Sequence, residues 1–179
     1  MFEFLKQRYQ LKLFRMRKEV VDAVLLKGEE QVLVLYSGLG FIVSSLAQKI
    51  TTGRVVGIDP RYASSQNDMA ITNAEENVRR EGVAEKVELY SDELSPLPLP
   101  DNRFDVVVMM ETEALAMKLI NADEVIRVMK SGGKLYINYN PATEAIIATM
   151  LLHGFSEHSE ARLVHSPGNP ILLLCLQKQ

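Results

Sequence analysis

The residues best suited to hold a ligand form a short loop after an apolar run. The run is Gln31–Tyr36, and Ser37, Gly38 and Gly40 come directly after it. Glycine lets the backbone approach a ligand closely, and the N–H groups that open a following helix attract an anionic group. A glycine after a strand often makes only a turn. A strand before the loop and a helical pattern after it favour a ligand site at Tyr36–Gly40.

Acidic residues follow the next two predicted strands. Asp59, with Pro60 beside it, ends the run Arg54–Ile58. It lies about 20 residues beyond the glycine loop, where dinucleotide-binding folds place a carboxylate that binds ribose hydroxyls. Asp92 and Glu93 follow the third strand and could accept hydrogen bonds from the amino group of an adenine. The alternatives are a helix N-cap for Asp59 and solvated surface acids for the other two.

Glu111 is the candidate catalytic residue. It is the only ionisable side chain immediately after the fourth predicted strand. Its carboxylate could orient a substrate, or act as a base if burial raised its pKa. No cluster of cysteine and histidine has the spacing of a metal site, so we expect no bound metal.

Apolar runs without alternation predict the strands that position these residues, because such runs are typical of strands buried on both faces of a parallel sheet. Helical patterns separate the runs, and Ser131–Gly133 is predicted as a turn. The order predicts a doubly wound, Rossmann-like α/β sheet, mostly parallel, with an antiparallel C-terminal edge hairpin. The predicted strands are Gln31–Tyr36, Arg54–Ile58, Val87–Tyr90, Phe104–Met110, Lys134–Tyr139, Ser156–Val164 and Ile171–Leu176. The predicted helices are Phe2–Leu26, Phe41–Ile50, Ser64–Glu81, Ala114–Met129 and Ala142–His153.

Composition predicts one folded domain with a distinct N-terminal helix. The 179 residues are 47% hydrophobic and 24% charged, which is typical of globular proteins. We therefore expect an amphipathic basic helix over 1–27 and the α/β domain over 28–179. That helix could pack on its own domain, form a homodimer, bind a partner protein, or contact a membrane surface or nucleic acid. A net charge of -3 makes nucleic acid the less favoured partner.

The location is expected to be cytoplasmic. Cys175 has no second cysteine to pair with and lies in an apolar run, which favours a buried thiol in a reducing compartment. No apolar stretch reaches the roughly 18 to 20 residues that span a bilayer, and the charged N-terminus lacks a signal-peptide core.

Several motifs in order make the chain resemble the class I S-adenosylmethionine-dependent methyltransferases, over about Gln31–Tyr139. The Pro-x-Pro-Asp-x-x-Phe-Asp stretch is similar to the small-molecule branch of that family. Tyr-Ser-Gly-Leu-Gly resembles the loop of RNA uracil methyltransferases, whose catalytic cysteine motif has no counterpart here. The motifs are Val32-Leu33-Val34-Leu35-Tyr36-Ser37-Gly38-Leu39-Gly40, Val56-Gly57-Ile58-Asp59, Asp92-Glu93-Leu94 and the stretch from Leu97 to Val107.

The resemblance implies seven strands, S-adenosylmethionine as cofactor and methyl transfer to a small-molecule acceptor near Glu111. A second hypothesis is a non-catalytic, methyltransferase-like binding or scaffold subunit, because Val34 stands where the family usually has an acid. NAD binding is less favoured, because the third glycine of the dinucleotide fingerprint is missing. The implied cofactor-binding residues are Tyr36, Ser37, Gly38, Gly40, Asp59, Pro60, Asp92 and Glu93.

Overall fold

A single seven-stranded sheet organises the described part of the chain. The computed structural model describes residues 17–63, 71–110, 120–139, 141, 143–165 and 170–179. Helices cover both faces of the sheet. The strands are β1 (Gln31–Leu35), β2 (Arg54–Ile58), β3 (Val87–Tyr90), β4 (Phe104–Met109), β5 (Met129–Tyr139), β6 (Phe155–His165) and β7 (Pro170–Lys178).

The strand order β3-β2-β1-β4-β5-β7-β6 confirms the predicted doubly wound sheet. β1 pairs in parallel with both β2 and β4, so the strand order reverses at β1. In open α/β sheets, ligands bind at the carboxyl ends of the strands where this reversal occurs. β7 is antiparallel to both β5 and β6, as the predicted C-terminal edge hairpin requires.

The register aligns the carboxyl ends of four strands. Leu35 lies opposite Ile58 on one side and opposite Met109 on the other. Met109 in turn lies opposite Ile137 of β5. The residues that follow this row therefore open onto one edge of the sheet, which is where the sequence places its candidate ligand-binding side chains.

Five α-helices connect or cover the strands in the described residues, besides two short 3-10 helices, Pro60–Ala63 and Ala84–Lys86. The helix over 17–23 is joined to the helix Phe41–Lys49 by a side chain. Lys49, in the last turn of the latter, donates from Nζ to Val21 O at 2.7 Å and to Val24 O at 2.6 Å. Cations near helix carbonyls of this kind also stabilise helix ends. The helices are α1 (17–23), α2 (Phe41–Lys49), α3 (Ile71–Arg80), α4 (Ala122–Val128) and α5 (Glu144–Leu152).

α4 fixes the proline-rich segment that follows β3. Its N-cap is Asn121, whose side chain accepts from Asp123 N at 2.9 Å. From the last turn of α4, Arg127 donates to Leu97 O at 3.0 Å and to Leu99 O at 2.8 Å. The segment lacks a strand ladder, so these side-chain bonds satisfy carbonyls that regular structure would otherwise pair.

The two faces of the sheet carry separate apolar clusters. Val32 and Val34 of β1 pack with α1 and α2, whereas Leu33 and Leu35 pack with α4 and α5. Val20 of α1 is fully buried among the first group. The described end of the predicted N-terminal helix therefore shares a core with the sheet.

Some predicted boundaries are wrong. Ser131–Gly133 is not a turn but part of β5, where Gly132 at φ 76° accompanies a register shift opposite β4. Two adjacent glycines suggest a turn locally, but the ladder with β4 continues on both sides, at Met129 and Lys134, so the extra residues form a bulge within the strand. Met129 belongs to β5 rather than to the preceding helix. α5 begins at Glu144 rather than near Pro141, because Thr143 is its N-cap.

None of the helices in the described part of the chain combines the length and the apolar character of a membrane-crossing segment.

Gly40→Ala tests how the end of the loop depends on close packing. Gly40 has φ 76°, and a Cβ there would lie 3.3 Å from Ala74 O of α3. Gly82→Ala is the matched control, because Gly82 has φ 70° but a Cβ there would have nothing within 4 Å. Both variants should incur about 1–2 kcal/mol of left-handed strain, and Gly40→Ala should lose about 1 kcal/mol more from overpacking. Urea unfolding measures the difference; equal losses would contradict the packing argument.

Candidate functional site

The Tyr36–Gly40 loop turns sharply away from the end of β1. Tyr36 has φ 55°, Gly38 has φ 57° and Gly40 has φ 76°, so left-handed residues alternate with ordinary ones. Gly40 N donates to Ser37 O at 3.1 Å, and α2 starts at the next residue. A left-handed conformation is uncommon for a tyrosine, so surrounding contacts must hold Tyr36 in it.

Residues after β2 hold the peptide groups of this loop. Asp59 Oδ2 accepts a hydrogen bond from Gly38 N at 2.9 Å. The hydroxyl of Tyr62 donates to Gly38 O and lies 2.9 Å from Ser37 Oγ. Both polar groups of the backbone at Gly38 are thus bonded to side chains from one short segment. We call these contacts of Asp59 and Tyr62 with the loop the β2 clamp.

The Asp59 carboxylate is saturated with hydrogen-bond donors. Its side chain is 0% exposed, and that of Arg61 is 33% exposed. Arg61 donates to Oδ1 from its backbone N at 3.0 Å and from Nε at 2.8 Å, and to Oδ2 from Nη2 at 2.7 Å. With Gly38 N, four donors meet a carboxylate that has about four lone-pair positions. Fork-like pairing of this kind compensates the burial of the charge.

Tyr62 acts as a neutral donor in the clamp. It is 3% exposed. Burial and the neighbouring Asp59 charge raise the pKa of Tyr62 to about 12, and the hydrogen bond with Ser37 lowers that pKa only in part. Its raised pKa keeps the hydroxyl protonated at neutral pH. The proton is therefore available to Gly38 O throughout the physiological range.

Close packing around the loop accounts for the glycine at position 57 and the asparagine at position 77. A Cβ on Gly57 of β2 would lie 2.9 Å from Ser37 Oγ and 2.8 Å from Leu89 Cδ2. On the other side, Asn77 of α3 donates from Nδ2 to Leu39 O at 3.0 Å. The loop is consequently held between β2 and α3, and a side chain at position 57 would displace it.

The structure brings most of the predicted ligand-binding residues together. Tyr36, Ser37, Gly38 and Gly40 form the loop, and Asp59 and Pro60 adjoin it. Asp92 and Glu93 follow β3, and both are exposed. Glu111 lies outside the described residues.

Arg61 and Tyr62 belong to the site but were not predicted from the sequence. Arg61 also lies over the ring of Tyr36, with 5.4 Å between its Cζ and the ring centroid. Their position within three residues of a strand-end acid was the available signal, because such residues can reach that acid. Val34 is 1% exposed in the core on the α1 and α2 face. A carboxylate is absent there, and the β2 clamp orders the loop from the neighbouring strand.

Comparisons with known proteins agree with this geometry. A structure described as a SAM dependent methyltransferase from Aquifex aeolicus superposes with a TM-score of 0.69 and 22% identity, over 97% of this chain and 96% of that one. Precorrin-6y C5,15-methyltransferase from Geobacter metallireducens has a TM-score of 0.70 and 18% identity, over 91% and 87%. These likenesses concern the fold.

A curated relative and a family model extend the comparison to the sequence. The chain is 30% identical over 142 residues to the 23S rRNA (uracil(1939)-C(5))-methyltransferase RlmD of Psychrobacter arcticus. The match covers 73% of this chain but only 25% of that protein, so the chain spans about a quarter of the relative's length. The family model described as a methyltransferase domain matches residues 32–133, which is more than half of the chain. The chain therefore belongs to the methyltransferase domain family, within the class I S-adenosylmethionine-dependent methyltransferases.

Proposed function

We propose that this chain holds S-adenosylmethionine at the Tyr36–Gly40 loop and transfers its methyl group to a small-molecule acceptor. The observation that supports this most is the β2 clamp, which fixes the loop in one conformation beside the carboxyl ends of β1 and β4. A fixed loop loses little conformational freedom when a ligand binds, and this favours affinity.

The residues present fit the cofactor, with one condition. Gly38 and Gly40 are left-handed and carry no side chain, so the backbone can approach the amino acid part of the ligand. Asp92 and Glu93 are exposed at the end of β3, where they could receive the adenine amino group. The condition concerns Asp59, whose oxygens are already bonded to Gly38 and Arg61.

Arg61 must leave Asp59 before ribose hydroxyls can bind there. The guanidinium occupies both carboxylate oxygens, and hydroxyls would have to replace those donors one for one. Arg61 is one-third exposed, so it can exchange this pairing for water, whereas buried Asp59 cannot. In this proposal Arg61 holds the ribose position closed until the cofactor arrives.

The chemistry needs positioning more than acid–base catalysis. Bound S-adenosylmethionine supplies an electrophilic methyl group on a sulfonium sulfur. The Tyr36–Gly40 loop orients the ligand's main body, and the buried side chains of Met109 in β4 and Ile137 in β5 exclude water from the acceptor side. Glu111 remains the proposed residue that orients the acceptor or takes its proton.

A small-molecule acceptor is favoured by the charge around the site. The described rim presents the exposed acids Asp92 and Glu93, and the chain carries a net charge of -3. Both features repel a phosphate backbone. The curated relative, named for methylation of 23S rRNA, favours RNA as the second candidate.

The remaining parts of the proposal concern the chain's organisation. We propose an N-terminal segment over 1–27, helical over 17–23 in its described part, and a domain over 28–179. That helix is the proposed route to a homodimer or a partner protein, and the proposed location is cytoplasmic. A non-catalytic scaffold subunit would share the fold and lack turnover.

Tritium-labelled S-adenosylmethionine distinguishes the candidate acceptors. The protein is incubated with the labelled cofactor and with either deproteinised small molecules or total RNA from cells. We expect enzyme-dependent label in the acid-soluble products of the first reaction, suppressed by excess S-adenosylhomocysteine. Label in acid-precipitable RNA would instead identify the second candidate. Cofactor binding without transfer to either pool would favour the scaffold.

Tyr62→Phe tests the β2 clamp. The variant keeps the buried ring but loses bonds to Ser37 and Gly38, each worth about 1 kcal/mol. Calorimetry should show about tenfold weaker S-adenosylhomocysteine binding. Folding raises the pKa of Tyr62 from 10.0 to about 12. The stability that the Tyr62 hydroxyl contributes to the folded protein should thus be constant below pH 10 and be lost as the pH rises through about 12.

Tyr136→Phe is the matched control for that experiment. Its hydroxyl also bonds to a backbone group, accepting from Leu25 N at 3.2 Å, but Leu25 lies outside the Tyr36–Gly40 loop. We expect its S-adenosylhomocysteine affinity to equal that of the parent. Equal affinities of parent and Tyr62→Phe would refute the clamp's role in binding.

Arg61→Gln tests whether Arg61 competes with ribose. The change leaves the buried Asp59 with fewer donors, so the free protein should lose about 2 kcal/mol of stability, a reduced figure because Arg61 is partly exposed. Ribose hydroxyls then satisfy the carboxylate, so saturating S-adenosylhomocysteine should raise the melting temperature more than in the parent. Arg79→Gln, at an exposed pair with Glu76, is the control. A smaller ligand-induced rise in Arg61→Gln would contradict the competition.

A further inference from the structure

One buried side chain in the described residues has a polar atom without a partner. Asn138 of β5 is 1% exposed, and its Oδ1 accepts no hydrogen bond. The other buried polar side chains in the described part of the chain are bonded: Ser37 to Tyr62, Ser44 to Gly40 O at 2.9 Å, Asp59 to Arg61, and Thr143 to Asn138 O at 2.8 Å. Buried polar groups are normally paired, so an exception calls for a cause such as a missing ligand or water.

The sheet register places Asn138 level with the start of the Tyr36–Gly40 loop. Leu35, Met109 and Ile137 form one row across β1, β4 and β5. The next residues along these strands are Tyr36, Met110 and Asn138. Adjacent strands lie about 4.8 Å apart, so Asn138 stands roughly 10 Å from β1. A methyl group delivered between β1 and β4 would lie about one to two strand spacings from Asn138 on β5.

Asn138 lies on the face of the sheet covered by α1 and α2. Its cross-strand partner, Leu173, belongs to the apolar cluster of that face, and so does Tyr136 two residues earlier. Met110, the residue after β4, is only half-buried, whereas Val108 of β4 is fully buried. Asn138 therefore stands where this apolar face meets the ligand edge of the sheet.

The surroundings decide which chemistry the amide can recognise. The described neighbours on this face, Leu173 and Tyr136, offer no charge to balance an ionic ligand, and desolvating an ion beside them is unfavourable. A carboxamide oxygen accepts from N–H or O–H, and its NH₂ group donates alongside. A planar, uncharged molecule with an N–H or O–H donor next to a carbonyl or ring nitrogen matches this pattern. The torsion next to the amide is soft, so its plane can turn to meet such a group.

We propose that Asn138 binds the methyl acceptor and that the acceptor is a neutral, planar molecule with an N–H or O–H donor, such as a lactam, phenol or N-heterocycle. This inference rests on the proposed function, because it places the acceptor next to a bound cofactor. Asn138 orients the acceptor and takes no part in holding S-adenosylmethionine.

The test uses the lactam pyridone as a probe on the full chain saturated with S-adenosylhomocysteine. N-methylpyridone is the matched ligand, because it has the same ring and carbonyl but no N–H donor. Ligand-observed NMR should detect pyridone and give at least a tenfold weaker response for N-methylpyridone. The side-chain NH₂ signals of Asn138, assigned by their loss in Asn138→Leu, should shift only with pyridone.

Asn138→Leu keeps the branching and the number of side-chain heavy atoms and removes the unpaired oxygen. It should unfold at the same temperature as the parent or higher, bind S-adenosylhomocysteine with unchanged affinity, and lose pyridone binding at least tenfold. Asn138→Val, smaller, suited to a strand and without a polar atom, provides the same comparison if the leucine variant does not fold.

The outcomes separate the two proposals. Equal pyridone binding by parent and variants, or no pyridone binding by the parent, would overturn the role of Asn138 while leaving cofactor binding intact. In either case, a buried water would be the partner of Asn138 Oδ1. Failure of the parent to bind S-adenosylhomocysteine would overturn the proposed function and, with it, this inference.

Discussion

The buried carboxylate of Asp59 is the constraint on which the rest of the site depends. A fully buried charge is tolerated only when donors surround it, and here those donors come from Gly38 and Arg61. The bond to Gly38 joins the loop after β1 to the segment after β2. The loop conformation and the charge at the strand end are therefore maintained together, and neither can change without affecting the other.

The pairing of strands in the sheet makes the contact between these two segments possible. Parallel pairing of β1 with β2 brings the ends of two strands side by side, and Gly57 leaves room for Ser37 above it. Tyr62 then reaches the loop from the short helical turn after β2 and bonds to Gly38 O. The family's usual acid on β1 is replaced by valine, and the neighbouring strand supplies the ordering contacts instead. Val34 is thus compatible with an ordered loop.

The sequence predicted the elements whose signals are local and strong. Apolar runs such as Arg54–Ile58 marked buried strands, and Gly38 and Gly40 marked the loop. The contact that was missed is non-local, because nothing in the sequence around Tyr62 indicates that its hydroxyl bonds to a peptide group in the loop after β1. Gly132 shows the same effect in reverse. Its glycine pair predicts a turn, but the segment is an irregular part of β5, and the ladder with β4 continues on either side of it at Met129 and Lys134.

The same distinction applies within the candidate site. Residue type and strand-end position sufficed to group Ser37, Gly38 and Asp59, because parallel strands carry their ends to one edge. The occupancy of Asp59 by Arg61 could not be predicted, because it depends on the backbone turn after β2 directing the guanidinium back onto the acid. The unpaired oxygen of Asn138 was equally invisible, because a strand pattern does not reveal which polar atoms lack partners.

Amide hydrogen exchange at Gly38 in the ligand-free protein tests the central claim most directly. If the β2 clamp orders the loop before any ligand binds, the Gly38 N–H, bonded to the buried Asp59 carboxylate, should exchange far more slowly than an unstructured glycine. Tyr62→Phe should accelerate that exchange. Exchange at the rate of an unstructured peptide in the parent protein would contradict the account, because the loop would then be ordered only by its ligand.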